Sequence, residues 1–316
     1  MITLLAATSL MLAPTPMTVR SRAFPGLDED GLEIGCLVMT SGHMLFGPDG
    51  FGGYSGMHFD ADTSTVTLLS DRAHLLDLPL TLNQAGQVTG FGTAQHWELR
   101  KERGLRGGKD TEAIMLDGDG YLVSRERVHD IVRVERGEFN YAMSEVVVSL
   151  EHLEPVENNG GYEGVTRIGG SALLGIPETA TSDGSSAVVR WDGSRSEVIA
   201  RYKVEDDHLV TELVADPETG RLFVLERAYD RTRGPRAKIS VVSLAALDAA
   251  EPWDIVEGEE LGRMTFLDGA DNMEAMTFIK NADGTESLML ASDDNFSDLQ
   301  RTVLMTMRIT DSCPAP

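Results

Sequence analysis

Acidic residues recur through this chain at positions that could bring them to one place. Glu112, Glu163, Glu212 and Glu274 each open a short apolar segment, and Asp71, Glu126, Glu178, Glu226 and Asp293 each close the segment that follows. Aligned on Ser55 and the four opening glutamates, the steps are 57, 51, 49 and 62 residues. Carboxylates gathered closely cannot all stay ionised without a counter-charge. Calcium is the expected counter-charge, because it accepts six to eight oxygen ligands in a flexible geometry. The candidate metal ligands are Asp71, Glu112, Glu163, Glu274 and Asp293, and Glu112, Glu163 and Glu274 are also the candidate catalytic carboxylates. Asn159, Asn272 and Asn295 could add neutral oxygens. The competing reading is structural, with the acids accepting hydrogen bonds from neighbouring backbone. Arg72, Arg125 and Arg227 stand beside acidic positions. They are the candidate substrate-binding residues, because a guanidinium offers paired donors to phosphate or carboxylate. Salt bridges to the adjacent acids are the alternative.

Other chemistries lack their motifs. Gly53-Tyr54-Ser55-Gly56-Met57 misses the last glycine of a nucleophile elbow. Gly108-Lys109 is followed by Asp110, so there is no phosphate-binding loop of the Gly-Lys-Ser/Thr type. The seven histidines form no local zinc-binding pair. Asp117-Gly118-Asp119-Gly120 reads as a hairpin turn, its glycine being misplaced for a calcium loop.

The elements that would position the acids repeat with them. Each unit is a pair of short apolar strands joined by Gly, Asp or Asn turn chemistry, as in Val210–Val214, a turn over 216–220, and Leu222–Arg227. More polar, alternating strands follow, such as Ile131–Val134 and Lys238–Val242. Continuous apolar inner strands with alternating outer ones fit propeller blades packed face to face. The expected fold is therefore all-β: a single six-bladed β-propeller closed by pairing of N- and C-terminal strands. Five blades would come from the repeats and the sixth from Leu32–Met39 together with residues 86–99. Leu244-Ala245-Ala246-Leu247 could hold one helical turn.

The same segments carry a family likeness. Gly52-Gly53-Tyr54-Ser55-Gly56 with Ser70-Asp71-Arg72, Asp110-Thr111-Glu112-Ala113 with Arg125-Glu126, and Gly161-Tyr162-Glu163-Gly164 resemble the recurring blocks of the phytase-like (esterase-like activity of phytase) family. So do Leu225-Glu226-Arg227, Asp271-Asn272-Met273-Glu274-Ala275, and the tail Ser292-Asp293-Asp294-Asn295-Phe296 with Gln300 and Thr302. Alanine stands at Ala113 and Ala275 where the family pattern has glycine. The resemblance spans about residues 31 to 309 and implies a propeller with a hydrolase-like activity.

Composition bounds the partners. The chain of 316 residues carries a formal charge of −24. Such a field repels nucleic acid and anionic membranes, which excludes both as partners. The apolar run Ile2–Leu12 is too short to span a bilayer and suits the core of an export signal. Residues 1–23 are accordingly expected to be a signal peptide or a disordered N-terminus, and 24–316 the propeller domain, placed in the periplasm or outside the cell. A ring fold would bring Cys36 and Cys313 together for a disulfide; a buried thiol and a free tail thiol are the alternative. The expected function is calcium-dependent hydrolysis of a small anionic phosphoester or carboxylester at the mouth of the channel. A lactonase of the gluconolactonase type and a non-catalytic propeller that binds a ligand or partner are the alternatives.

Overall fold

The computed structural model describes residues 14–314 apart from 26, 28, 29, 107, 139 and 151–159. Nearly all regular structure is β. Five antiparallel four-stranded units succeed one another, written here as blades 1 to 5, each from its inner to its outer strand. Blade 1 is Tyr54–Asp60, Thr65–Ser70, His74–Leu82 and Ala94–Lys101; blade 2 is Thr111–Asp117, Gly120–Arg125, Asp130–Arg136 and Tyr141–Ser149. Blade 3 is Gly164–Gly169, Ala172–Ile176, Ser185–Trp191 and Ser196–Lys203, and blade 4 is Leu209–Asp216, Arg221–Asp230, Gly234–Ser243 and Glu259–Thr265. Blade 5 takes Asn272–Lys280, Glu286–Asp293 and Thr302–Ile309 from the end of the chain, and its outer strand, Leu37–Phe46, from the beginning. The outer strands of blades 1 and 2 also touch through a short parallel pairing, Leu99–Lys101 with Tyr141–Met143.

The core explains why the second strands read as unbroken apolar runs. It is not one central mass but five clusters, each between two successive blades. Leu174, Val188 and Tyr202 of blade 3 meet Val210, Leu222 and Val224 of blade 4. Phe223, Leu225 and Ile239 on the other side of blade 4 meet Leu288, Leu290 and Met305 of blade 5. Blade 5 presents Ala275, Met289 and Leu304 to Met57, Leu68 and Leu76 of blade 1. Blade 1 meets blade 2 through Leu69, Leu75 and Val123, and blade 2 meets blade 3 through Met115, Leu122 and Val165. A strand packed on both faces needs apolar residues at every position. Each such side chain contributes about 2 kcal/mol by burial. The outer strands of blades 1 to 4 have more exposed positions, whereas Leu37–Phe46 of blade 5 is mostly buried, paired also with Arg20–Ala23 and Leu32–Ile34.

The arrangement is propeller-like, and it corrects the expected count of six. Among the described residues there are five blades. Leu37–Phe46 is claimed by blade 5, and Val88–Phe91 and Ala94–Lys101 pair with His74–Leu82 inside blade 1, so neither is left to build a sixth. The expected helical turn is the helix Leu244–Ala249, capped by Ser243 and anchored by buried Leu247. Thr15–Met17 pairs with Ala94–His96 and Arg20–Ala23 with His43–Phe46, so the part of 1–23 within the described residues forms strands; residues 1–13 lie outside them. No helix among the described residues is long and apolar enough to cross a membrane.

Cys36 and Cys313 form a disulfide with a Cα–Cα distance of 5.0 Å across a sequence separation of 277. It fastens the turn before the borrowed outer strand to the tail after Thr302–Ile309. Replacing both cysteines by serine should lower stability by about 3 kcal/mol, since the unfolded chain regains a long loop. The urea midpoint of the full chain measures this, and an unchanged midpoint would mean that strand pairing alone holds the two ends.

Candidate functional site

The start of each inner strand and the end of each second strand lie at the same end of their blade, because the two are antiparallel neighbours. Four inner strands carry a register shift there: between Tyr54 and Gly56, Thr111 and Ile114, Val210 and Glu212, and Met273 and Ala275. Such a bulge re-aims one side chain out of the alternating pattern. The residues it releases are Ser55 in blade 1, Thr211 in blade 4 and Glu274 in blade 5, with Glu112 inside the shifted stretch of blade 2. In blade 3, Glu163 immediately precedes the first paired residue, Gly164. At the same end, on or just after the second strands, stand Asp71, Glu126, Glu178, Arg227 and Asp293.

This register corrects the fourth repeat. The bulge residue is Thr211, so Glu212 falls one position later and faces the other way. Its carboxylate accepts the Leu213 amide at 2.9 Å and lines a channel cavity of about 170 Å³ with Met57, His58, Met115, Arg167 and Met276. Residues of all five inner strands line that cavity. Burial pushes Glu212 well above the usual carboxylate range, apart from the other acids. Glu226 is likewise displaced from the series. It is fully buried, accepting Tyr202 Oη at 2.6 Å and pairing with Lys238 at 2.8 Å. Arg227 occupies the slot that holds a carboxylate in the other four blades.

The remaining acids do converge. Oxygens of Asp110, Glu112 and Glu126 lie within 4.8 Å of one another, and so do oxygens of Glu126, Glu163 and Glu178. Arg227 links this row to blade 5, with 2.9 Å to Glu178 and 3.3 Å to Glu274. Asn272 donates to Glu274 at 2.7 Å, and Ser55 hydrogen-bonds Glu112. Burial and then mutual repulsion, from Glu274 and Glu126 on Glu112 and from Glu178 on Glu163, hold Glu112 and Glu163 well above their ordinary range. Glu274 is pushed up to about 8 by burial, against the opposing pull of Arg227, and Asp293 to about 6, chiefly by burial. Hydrogen bonding to Glu163 opposes the rise at Glu178, and hydrogen bonding to Glu274 opposes it at Asp293. Burial also raises Asp71 and Glu126. All five expected metal ligands therefore lie at one end, joined by Asp110, Glu126 and Glu178. Asp110 precedes the strand that begins at Thr111, next to the register shift, so strand periodicity gave no signal for it. Asn159 lies outside the described residues.

The three arginines have different fates. Arg125 is withdrawn from any substrate: it is 1% exposed, holds Asp130 through two hydrogen bonds of 2.8 and 2.6 Å, and donates to the Arg106 and Gly108 carbonyls. Arg227 is a counter-ion inside the cluster. Arg72 is exposed, with its guanidinium carbon 3.3 Å from the centroid of the Phe296 ring. Arg127, absent from the expected set, lies 2.7 Å from Asp110.

The backbone at this end is held in costly conformations. Of seven non-glycine residues with positive φ among the described residues, Ala73, Arg127, His129, Asp207, Asn295 and Phe296 all lie in loops at the acidic end. Such residues cost of order 1–3 kcal/mol each and persist where surrounding structure over-determines them, commonly at functional sites.

The donor set fits a hard, oxygen-seeking cation. The donors are carboxylates and amides, and the carboxylates outnumber the guanidinium of Arg227 that pairs with Glu178 and Glu274. Glu126 is 5% exposed, and its Oε1 is buried with no hydrogen-bond partner.

The model of the phytase-like family, described as esterase-like activity of phytase, matches residues 49–296. No curated protein matches the chain. Solved structures similar to it include the PQQ-bound aldose sugar dehydrogenase of Streptomyces coelicolor (11% identity, 93% of this chain and 100% of that chain, TM-score 0.47). A nidogen/laminin complex (13%, 86% and 96%, 0.45) and the glutaminyl cyclase of Myxococcus xanthus (10%, 82% and 92%, 0.43) are also similar. At these identities and scores the likenesses carry no argument about activity.

The raised pKa values of Glu274 and Asp293 set a pH dependence. Without a bound cation, the folded protein keeps protons on Glu274 up to about pH 8 and on Asp293 up to about pH 6, whereas the unfolded chain releases them near pH 4. The folded state binds the extra protons, so stability falls as pH rises from about 4 to 8. In chelator, the urea midpoint should be higher at about pH 5.5 than at about pH 8.5; the reverse order would mean that burial does not hold these acids protonated. Arg227→Met should cost about 3 kcal/mol at neutral pH by leaving Glu178 and Glu274 uncompensated, and less at about pH 5, where both are more protonated.

Proposed function

The chain belongs to the phytase-like family, and on that premise we propose that its acidic end is the mouth of a closed five-bladed propeller where a calcium-dependent hydrolase acts on small phosphate or carboxylate esters. The observation that carries this reading is the convergence of carboxylates from blades 2 and 3, joined through Arg227 to Glu274 of blade 5, with a buried glutamate oxygen left unpartnered among them.

Asp71, Glu112, Glu163, Glu274 and Asp293 would hold the ion, joined by Asp110, Glu126 and Glu178, with Asn272 and Asn295 near them. Calcium bound there supplies Lewis-acid polarisation of the ester and lowers the pKa of a coordinated water. The protein's own groups do the rest. Glu112, Glu163 and Glu274 are the candidate proton carriers: one takes a proton from the attacking water and returns it to the leaving alcohol. Arg227 keeps Glu178 and Glu274 oriented at 2.9 and 3.3 Å. The strained loops hold these groups in place, so little reorganisation is needed during reaction.

The disulfide supports an oxidising compartment, and with it export to the periplasm or beyond. A leader would then end before the strand Thr15–Met17.

Calcium titrated into chelated full-length protein should raise the melting temperature and bind measurably by calorimetry. Glu126→Gln and Glu163→Gln should weaken binding at least tenfold, as expected for loss of a charged ligand. Phenyl phosphate and phenyl acetate should be turned over only with calcium restored, and a lactone panel in the same assay tests the gluconolactonase-type alternative. Calcium binding without turnover would leave a binding propeller, and no binding at all would reject the metal site.

A further inference from the structure

Beside the carboxylates, blades 1 and 2 frame an open cleft of about 420 Å³ lined by Asp71, Arg72, Lys109, Asp110, Glu126 and Arg127. It shares Asp110 and Glu126 with the converging acids, so a molecule lying in it would reach them directly. Its three cations are not equivalent. Lys109 is paired with Glu98 at 2.9 Å and Arg127 with Asp110 at 2.7 Å. Among the described residues no carboxylate lies within ion-pair distance of Arg72.

Arg72 is nevertheless held in place, with its guanidinium over the Phe296 ring. Phe296 sits at φ 50° and donates its amide to Asp294 Oδ1 at 3.0 Å. Asp294 also accepts the Gly53 amide at 2.9 Å and Thr302 Oγ1 at 2.9 Å. The ring lies so close to Gly53 that any Cβ there would overlap it. A cation backed by a fixed aromatic face loses less freedom when it takes a ligand.

We propose that the substrate lies in this cleft and carries one anionic group, a carboxylate or a single phosphate, received by Arg72 with Phe296 as its positioning residue. This rests on the hydrolase reading and narrows it. One uncompensated guanidinium matches one planar or tetrahedral anion through paired donors. A polyphosphate would press its further charges against Asp71, Asp110 and Glu126, a built-in penalty on the wrong ligand, and would approach against a net charge of −24.

The full chain with calcium is assayed on phenyl acetate, which is neutral, on phenyl hemisuccinate and phenyl phosphate, which carry one anionic group, and on inositol hexakisphosphate. The singly anionic esters should have the highest kcat/KM. Arg72→Gln should lower their preference over phenyl acetate about tenfold, through KM, the size expected for a lost charge-assisted hydrogen bond. Arg72→Lys should restore part of it, and Phe296→Leu should reduce it. A preference unaltered in Arg72→Gln, or inositol hexakisphosphate as the best substrate, would overturn the proposal. Should no ester turn over, the hydrolase reading falls, and calorimetric titration with inorganic phosphate and with succinate still decides the anion site. Binding weakened tenfold in Arg72→Gln supports it, and equal binding overturns it.

Discussion

The acidic end depends on one substitution within an otherwise repeated pattern. At the acidic end of the second strand, four blades place a carboxylate in or just after the strand, and blade 4 places Arg227 in the matching position, between Glu178 and Glu274. Two unit charges a few ångströms apart near a protein surface attract by about 4 kcal/mol, most of it offset by the cost of leaving water. The worth of Arg227 is therefore mainly that it prevents a larger penalty. Without it the row of acids from blades 2 and 3 would face the acids of blade 5 with nothing between them. Arg227 touches Glu178 of blade 3 and Glu274 of blade 5, so it links the acids of one blade to those of the other.

That link required a scaffold that brings distant residues together without a common centre. Each blade is stabilised by its neighbours on both faces, and no side chain from one blade must cross to another to fill the middle. The axis stays open as a narrow cavity lined by inner strands, and polar groups can collect at its end without disturbing the core. Glu212 illustrates the limit. One residue beyond the bulge, a carboxylate faces the cavity, satisfied by backbone amides and removed from the acids at the mouth.

Much of this was legible in the residues. The five apolar hairpins are the inner halves of the five blades, and Glu112, Glu163, Glu274, Asp71 and Asp293 do share one end. The failures have physical causes. Glu212 was aligned with Glu274 because spacing shows similarity but not a bulge, and one inserted residue reverses which face a side chain takes. Glu226 was grouped with the acids and Arg125 with the ligand-binding arginines because neither orientation nor burial is visible in a dipeptide. Arg125 proved to be a buried partner of Asp130, 1% exposed. The count of six arose because Leu32–Met39 and residues 86–99 looked like parts of one further blade, whereas Leu37–Phe46 is the last strand of a blade begun more than two hundred residues later. Asp110 and Arg127 sit in loops, where periodicity is silent.

The borrowed strand has a temporal consequence. During synthesis, Leu37–Phe46 emerges early and its partner Thr302–Ile309 emerges last, so blade 5 stays incomplete until almost the whole chain has been made. Asp293 and the loop bearing Phe296 reach the neighbourhood of Asp71 and Arg72 only at that moment. The earlier blades can form while the mouth is still unassembled. A nascent chain would thus pass through the ribosome and any translocation channel without a finished acidic end, which comes into being together with the last turn of the ring.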